Sequence, residues 1–391
     1  MEDKLYDFDK IIDRNNSNSI KYDGSERVFK QKNLIPLWVA DMDFETPKYI
    51  VDAIKERVNH GLFGYPEYSK DLFTHILNWI YKKHNWRLNK KNMTLSPTVV
   101  TSLSVAIEAF SEVEDKIMIF TPVYGPFYSV VTEQNRKLTE LPLINENGYY
   151  KIDFELFENS IDKDTKMLLL CSPHNPIGRV WKKTELEKLG EICLKYGIVI
   201  ISDEIHSDIV YSNHTPIASI SNKLSNITLT LNSPGKTFNV SGLEISYLYS
   251  ENLNMLDKFK KIMKRRAITV ENIVSLIALE ASYKDADTYI TELTKYLENN
   301  IDFTLNYLKK ELPKLKINKP EGTYLLWLDF SDFNLSHKEI STLLLEKSSL
   351  ALTDGLFFGK NGDNFFRLNV ALPKENLNYA LKMLVNGFKE V

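Results

Sequence analysis

The sequence is poor in cysteine and contains no long apolar run. Its 391 residues include two cysteines, Cys171 and Cys193, and both lie inside apolar segments. Buried free thiols in a reducing compartment explain this placement better than a disulfide or a metal site. No apolar run approaches the roughly 20 residues that a membrane-spanning helix needs. Together with a charged N-terminus, these features predict a cytoplasmic protein without a membrane partner.

The chain also lacks a strong charge of either sign. A formal net charge of -3 gives no electrostatic footprint for nucleic acid or for an anionic membrane. The densest basic run, from Lys258 to Arg266, has apolar residues at helical spacing and is typical of a solvated helix face. With 43% hydrophobic and 26% charged residues, the composition is that of a globular protein. The length predicts two domains.

Apolar strand-like runs alternate with helix-like segments over the first two-thirds of the chain. The runs are rich in Val, Ile and Leu and do not alternate with polar residues, which favours a mostly parallel sheet covered on both faces. A capping-box pattern at Thr184 predicts a helix that runs to Gly197. The predicted strands are Lys116–Phe120, Lys166–Cys171, Ile198–Asp203 and Ile227–Leu231.

The pattern changes near Asp285. A long helical segment, Asp287–Glu311, is followed by shorter strands and helices and by a final helix predicted from Lys374 to Glu390. We therefore expect a large cofactor-binding domain at residues 47–285 and a small α+β domain at 286–391. The N-terminal segment, residues 1–46, is expected to join the small domain.

Three polar side chains follow predicted strands. Asn175 comes after the Lys166 strand, Asp203 ends the Ile198 strand, and Lys236 comes after the Ile227 strand. Each has an ordinary alternative: a turn residue before proline, a helix N-cap and a surface lysine. However, ligands of parallel sheets bind beyond the carboxyl ends of the strands, where these three residues would meet. A pyridine aldehyde cofactor needs a Schiff-base lysine, an acid at the ring nitrogen and a donor to the ring oxygen.

Four ordered sequence blocks carry a resemblance that covers essentially the whole chain. They are Trp38–Phe44, His174–Trp181, Ser202–His206 and Lys236–Asn239. The sequence resembles the fold-type I pyridoxal-phosphate (PLP) enzymes of the class I/II aminotransferase superfamily, and within it most resembles the cystathionine beta-lyase (carbon–sulfur lyase) branch. The resemblance implies an α/β fold, with a large, mostly parallel seven-stranded sheet covered by helices and a smaller α+β domain.

The resemblance implies roles for individual residues. Lys236 would carry the cofactor and act as the base, Asp203 would pair with the pyridinium nitrogen, and Asn175 would bond the ring hydroxyl. Tyr124 would stack on the ring. His206 stands near the ring oxygen, where aminotransferases often have a tyrosine, which favours the lyase branch.

Two further residues would face the substrate. Arg367, in an alternating strand of the second domain, would hold the substrate α-carboxylate, because a guanidinium is well shaped for a bidentate grip on that group. Ala40, in the first of the four blocks, would also lie against the substrate.

The phosphate end departs from the family pattern. Ser233, Thr101 and Ser102 are the candidate phosphate donors, and the turn before Thr101 has two valines where many relatives have glycine. Glu244 stands eight residues after the lysine, where many aminotransferases have an arginine. Tyr65 matches a tyrosine that crosses the dimer interface to the neighbour's phosphate, so a homodimer is expected.

These features predict a PLP-dependent β-lyase that acts on a small amino acid. It would convert cystathionine or cysteine S-conjugates to a thiol, pyruvate and ammonia. A PLP-dependent aminotransferase of a small or aromatic amino acid remains an alternative, since both reactions share their first steps. A regulatory protein that keeps PLP only structurally is the second alternative.

Overall fold

The computed structural model describes residues 5–270 and 272–389. The strands are β1 (Ile35–Pro36), β2 (Met93–Ser96), β3 (Lys116–Thr121), β4 (Lys137–Pro142), β5 (Ile144–Glu146), β6 (Tyr149–Lys151), β7 (Thr165–Cys171), β8 (Val199–Asp203), β9 (Thr228–Asn232), β10 (Ser246–Tyr249), β11 (Leu325–Asp329), β12 (Leu350–Ala351), β13 (Thr353–Asp354) and β14 (Phe365–Asn369).

The helices connect and cover these strands. They are α1 (Ser25–Phe29), α2 (Lys48–His60), α3 (Leu72–His84), α4 (Val99–Phe110), α5 (Pro126–Thr132), α6 (Phe154–Asn159), α7 (Lys183–Tyr196), α8 (Asn222–Ile227), α9 (Pro234–Thr237), α10 (Leu253–Arg265), α11 (Ile273–Lys284), α12 (Ala286–Glu311), α13 (His337–Thr342) and α14 (Lys374–Phe388). Glu390, the predicted end of the last helix, and Met1 to Lys4 lie outside the described residues.

A seven-stranded sheet forms the centre of the molecule. Its strand order is β2-β10-β9-β8-β7-β3-β4, and β10 alone runs antiparallel to its neighbours. Alternate residues of β7 and β8 enter two different apolar clusters. Leu168, Leu170 and Ile200 pack with helix α7 on one face, whereas Leu169 and Ile201 pack on the other. The predicted α/β fold with helices on both faces is confirmed.

The capping box of α7 differs from the prediction by two residues. Glu185, not Glu187, closes the box, because its carboxylate accepts a hydrogen bond from the backbone N–H of Lys182 at 2.8 Å. The same carboxylate binds the buried Arg179 guanidinium at 2.8 Å. The helix therefore begins at Lys183, with Lys182 as its N-cap, two residues before the N-cap that the Thr184 pattern indicated.

A second, antiparallel sheet in the C-terminal third has the order β11-β14-β13. Near it, β1 from the N-terminal segment pairs in parallel with β12. We propose the domain limits expected from the sequence, with residues 1–46 joining the small domain, and the β1–β12 pairing supports this assignment.

The two cysteines do not form a disulfide. Cys171 and Cys193 are both buried free thiols. Across the described residues, no helix combines the length and the apolar character needed to cross a membrane. Among those residues, no group of three or more His, Cys, Asp or Glu side chains is arranged to hold a metal ion.

A buried ion network fixes the N-terminal segment next to the Trp38–Phe44 block. Lys21, which is 0% exposed, donates to the Asp43 carboxylate at 2.9 Å. Arg14 binds Asp41 at 2.7 Å and Asp43 at 2.5 Å, and the Tyr22 hydroxyl donates to Asp43 at 3.1 Å. Because a buried charge is costly unless it is paired, these contacts lock the segment in one position.

We expect Lys21→Met to lower the free energy of unfolding by about 3 kcal/mol, because the change removes one cation from a buried carboxylate. Thermal or denaturant unfolding measures this effect. Lys10→Met is the matched control, since Lys10 pairs with Glu45 in an exposed salt bridge of 2.6 Å, and such pairs contribute about 1 kcal/mol or less. Equal effects of the two variants would contradict the assigned role of the buried network.

Candidate active site

A cavity of about 590 Å³ lies at the carboxyl ends of the parallel strands. Strands β3, β7, β8 and β9 all end at this edge of the sheet, and β14 of the second sheet faces the cavity with Arg367. Most of the site residues predicted from the sequence line this single cavity: Ala40, Tyr124, Asn175, Asp203, His206, Ser233, Lys236 and Arg367.

Lys236 lies on the one-turn helix α9, directly after β9. Ser233 caps this turn, because its hydroxyl accepts from the N–H of Gly235 at 3.0 Å and donates to the Ile245 carbonyl at 2.7 Å. The Lys236 ammonium donates to the Ala40 carbonyl at 2.7 Å. Burial, reinforced by the positive charge of Arg367, lowers the pKa of Lys236 to about 8. Lys236 is therefore a usable base or nucleophile near neutral pH.

This lowered pKa predicts how the stability of the cofactor-free protein changes with pH. Between about pH 8 and pH 10.5 the unfolded lysine binds a proton that the folded lysine has lost, so stability rises with pH in this window. Lys236→Met removes this dependence. Below about pH 8 the two stability curves should run parallel, and between about pH 8 and pH 10.5 the unmodified protein should gain about 3 kcal/mol relative to Lys236→Met. Curves that stay parallel over that upper window would contradict the lowered pKa.

Asp203 ends β8 as a buried carboxylate. One oxygen accepts from the N–H of Ile205 at 3.1 Å. Burial raises the pKa of Asp203 to about 7, and the neighbouring Glu204 carboxylate acts in the same direction. Among the salt bridges of the described residues, none includes Asp203. The carboxylate is therefore placed to stabilise a cationic ligand atom that is buried beside it.

His206 lies three residues after Asp203, in the turn that follows β8, and is also buried. Burial, followed by the charges of Lys236 and Arg367, lowers the pKa of His206 to about 3, so the ring is neutral. Its Nδ1 has no hydrogen-bond partner within the described part of the chain. The ring packs edge-on against Tyr324, with centroids 6.1 Å apart. An unpaired buried ring nitrogen is suited to a polar ligand group.

Arg367 is a buried cation that contacts neutral acceptors. It is 4% exposed, and it donates to Asn175 Oδ1 at 3.0 Å, to the Trp38 carbonyl at 2.8 Å and to the Thr353 hydroxyl at 3.1 Å. Burial lowers its pKa to about 10, and its Nε has no partner among the described residues. Because no acid neutralises it in these contacts, Arg367 is poised to bind an incoming carboxylate.

The first sequence block supplies backbone carbonyls to both cations. The Ala40 carbonyl accepts from Lys236 and also from the Tyr324 hydroxyl at 3.1 Å, and the Trp38 carbonyl accepts from Arg367. Sequence reasoning missed these carbonyl contacts and the role of Tyr324, because a backbone acceptor has no residue type that would identify it. The Trp38–Phe44 block as a whole was the sequence feature that pointed to this part of the site.

The predicted phosphate donors are only partly at the cavity. Thr98, the N-cap of α4, accepts from the N–H of Thr101 at 3.0 Å, and the Ser102 hydroxyl donates to the Thr98 carbonyl at 3.1 Å. Thr101 and Ser102 are absent from the cavity lining, whereas Thr98, Val99 and Val100 belong to it. Thr101 and Ser102 therefore stay a prediction as phosphate donors, and in this structure their N–H groups bond to the hydroxyl and the carbonyl of Thr98.

Tyr65 lies away from this cavity. It is 97% exposed, in the loop between α2 and α3, and it does not line the site of its own chain. Its contact with a neighbour's phosphate stays a prediction. Tyr124 lines the cavity, with its ring edge-on to Phe357 at a centroid distance of 5.9 Å.

Comparisons with known proteins show the family of the chain. The family model described as aminotransferase class I and II matches residues 32–384. Cystathionine beta-lyase PatB of Bacillus subtilis (strain 168) is 38% identical over 380 residues, which are 96% of this chain and 98% of that protein. The chain belongs to the class I and II aminotransferase family.

Solved structures of this family share the whole fold. A PLP-bound putative aminotransferase from Clostridium difficile 630 has a TM-score of 0.96 at 43% identity, covering 98% of this chain and 99% of that one. Cystalysin from Treponema denticola, which contains pyridoxal 5'-phosphate, has a TM-score of 0.95 at 32% identity, covering 99% of each chain. The resemblance to the carbon–sulfur lyase branch is confirmed, and aminotransferase-named relatives occur as well.

The residues of the cavity fit PLP, the cofactor of the family. The site offers a lysine of lowered pKa, a buried carboxylate without a cation, and two unpartnered nitrogens, His206 Nδ1 and Arg367 Nε. The first N–H groups of α4, at Val99 and Val100, lie where the helix leaves its donors unsatisfied and suits an anion. Glu244 also lines the cavity, so this chain lacks the arginine of many aminotransferases at that position.

Proposed function

We propose that the protein is a PLP-dependent carbon–sulfur β-lyase that converts cystathionine or cysteine S-conjugates to a thiol, pyruvate and ammonia. The observation that carries this proposal is that Lys236, Asp203 and Arg367, an arginine without an acidic partner in its contacts, line one cavity. His206 in place of an aminotransferase tyrosine supports the lyase reaction over transamination. The identity of 38% with a cystathionine beta-lyase supports it as well.

Each side chain has a distinct task in this proposal. Arg367 binds the substrate α-carboxylate, and Lys236 Nζ accepts the Cα proton. Asp203 would hold a proton at the pyridine nitrogen of the bound cofactor, and Tyr124 would stack on its ring. Asn175 Oδ1 already accepts from Arg367, so its Nδ2 is left to donate to the ring oxygen. PLP, when bound, supplies an aldehyde that captures the substrate amine and a ring that accepts the electron pair from Cα.

Elimination also needs a proton for the departing sulfur. After taking the Cα proton, Lys236 would be an ammonium, and as the one cationic side chain of α9 it could donate that proton to the thiolate. Ser233, which caps that turn, and the Val99 and Val100 amides would hold the phosphate. Ala40 would face the substrate beside Lys236.

The deciding experiment follows pyruvate and free thiol from cystathionine and from a simple cysteine S-conjugate, with and without 2-oxoglutarate. A lyase releases both products without the keto acid. Activity that requires 2-oxoglutarate would favour the aminotransferase reaction instead, which the name of the 43% identical structure also suggests. PLP binding without turnover under either condition would favour the regulatory alternative.

We also propose a cytoplasmic homodimer. The loop that carries Tyr65 also exposes Leu62 and Phe63, which are 67% and 58% exposed in the single chain, and a contiguous apolar patch is typical of an interface. In this dimer, the Tyr65 hydroxyl would donate a hydrogen bond to the neighbour's phosphate. The two buried thiols support a reducing compartment. Light scattering measures the assembly, and a monomer that binds PLP as tightly would oppose the proposal.

A further inference from the structure

One side of the active-site cavity is an apolar wall, which we define as Ile20, Val28, Phe29, Leu352 and Phe357. All five residues line the cavity. Ile20, Val28 and Phe357 are 56%, 42% and 47% exposed, although large apolar side chains are usually covered. The wall therefore offers apolar surface to whatever occupies the cavity.

The apolar wall is held in place by its surroundings. The Phe29 ring packs edge-on against Trp38 at a centroid distance of 5.4 Å, and the Trp38 indole N–H donates to the Lys21 carbonyl at 3.0 Å. Phe357 lies so close to Gly125 that a Cβ there would come within 2.8 Å of its ring. A preformed wall binds a ligand without a large ordering cost.

The apolar wall adjoins the residue that would hold the substrate carboxylate. Arg367 Nη2 donates to the Trp38 carbonyl, and the Trp38 ring packs against the Phe29 ring of the wall. The same nitrogen binds the Thr353 hydroxyl, and Thr353 directly follows Leu352. With its α-carboxylate on Arg367, an amino acid would extend its β-substituent along this wall.

The charges that line the cavity leave this region without a free cation. In the part of the chain that the structure describes, the cationic side chains of the lining are Lys236 and Arg367, and the acidic ones are Asp203, Glu244 and Asp354. Asp354 already accepts from His337 at 2.9 Å and from the N–H of Leu356 at 2.8 Å. The distal carboxylate of cystathionine would meet apolar side chains and acids, which is a costly environment for an anion.

We propose that the preferred substrates are cysteine S-conjugates with an apolar alkyl or aryl group on sulfur, and that Ile20, Val28, Phe29, Leu352 and Phe357 select them. The inference rests on the proposed lyase function. The Cα–H and Cβ–S bonds break, the thiolate takes a proton, and water converts the remaining three-carbon fragment to pyruvate and ammonium. Differences of about tenfold or more in kcat/KM are typical of hydrophobic subsites.

The test compares kcat/KM for S-benzyl-L-cysteine and for cystathionine, measured as pyruvate release from the PLP-loaded enzyme. We expect S-benzyl-L-cysteine to be favoured at least about tenfold. Phe357→Ala should reduce this preference severalfold, whereas Leu356→Ala, at an equally exposed neighbour outside the cavity lining, should preserve it. Equal or better use of cystathionine by the unmodified enzyme would overturn the inference.

A charge introduced at the apolar wall gives the complementary measurement. Val28→Lys should raise kcat/KM for cystathionine and lower it for S-benzyl-L-cysteine, because the new ammonium can pair with the distal carboxylate. Val113→Lys, on an exposed turn outside the cavity, is the control. Identical effects of the two lysines would contradict the selecting role of the wall. Absence of pyruvate from every substrate would instead refute the lyase function itself.

Discussion

Replacing Lys236 by alanine should abolish covalent attachment of PLP and lower turnover by about 10³-fold or more. General bases and covalent nucleophiles contribute on this scale, and Lys236 would serve in both roles. Its Nζ donates to the Ala40 carbonyl at 2.7 Å, and burial lowers the pKa of this lysine to about 8. Pyruvate release and the visible absorbance of the bound cofactor measure the two effects separately.

The stability of the variant distinguishes catalysis from folding. Because Lys236 carries a desolvated charge below about pH 8, its removal should leave the melting temperature of the cofactor-free protein unchanged or raised. Lys258→Ala, on the exposed face of α10, is the control for the loss of a lysine as such. Release of pyruvate by Lys236→Ala at a rate near that of the unmodified protein would exclude Lys236 as the base.

The parallel sheet and the convergence of its strand-end residues were predictable from local pattern. Non-alternating Val, Ile and Leu runs indicate strands buried on both faces, and β7 and β8 are buried in this way. β9, in which Thr and Leu alternate, is also buried along its whole length. Once these strands are parallel, Asn175, Asp203 and Lys236 must reach the same edge. No contact between distant parts of the chain had to be guessed for this step.

Other features of the site depend on contacts that no local pattern encodes. The N-cap decides which backbone N–H groups of the first turn of α4 remain free. Here the Thr98 hydroxyl accepts a hydrogen bond from the N–H of Thr101. The carbonyls of Trp38 and Ala40 reach the site because the buried Lys21 network fixes the chain before them. Such choices are decided by three-dimensional packing and by competition among hydrogen-bond partners.

The buried position of Arg367 also could not be predicted from local sequence pattern. An arginine in an alternating strand is most often a surface residue, and the sequence indicated its role only through the family resemblance. The structure places it in the interior through acceptors from three separate segments, at Trp38, Asn175 and Thr353. A buried guanidinium that lacks an acid partner is an unusual arrangement for stability alone.

Arg367→Ala should therefore raise KM for the amino acid and lower kcat/KM by about 100-fold. This is the effect expected when a charge-assisted, bidentate contact with a carboxylate is lost, and steady-state kinetics with any accepted substrate measure it. Since the ground state and the transition state share the α-carboxylate, most of the change should appear in KM rather than in kcat.

Arg179→Ala provides the contrast, because Arg179 is an equally buried arginine, at 3% exposure, with two acid partners. Its guanidinium binds Glu185 at 2.8 Å and Glu321 at 2.7 Å, and removing it strands both carboxylates, at a cost of about 3 to 5 kcal/mol in stability. Arg367→Ala strands no carboxylate, so its stability loss should be smaller while its KM effect is larger. An unchanged KM in Arg367→Ala would remove this residue from carboxylate binding, and a larger loss of stability than in Arg179→Ala would assign it a structural role.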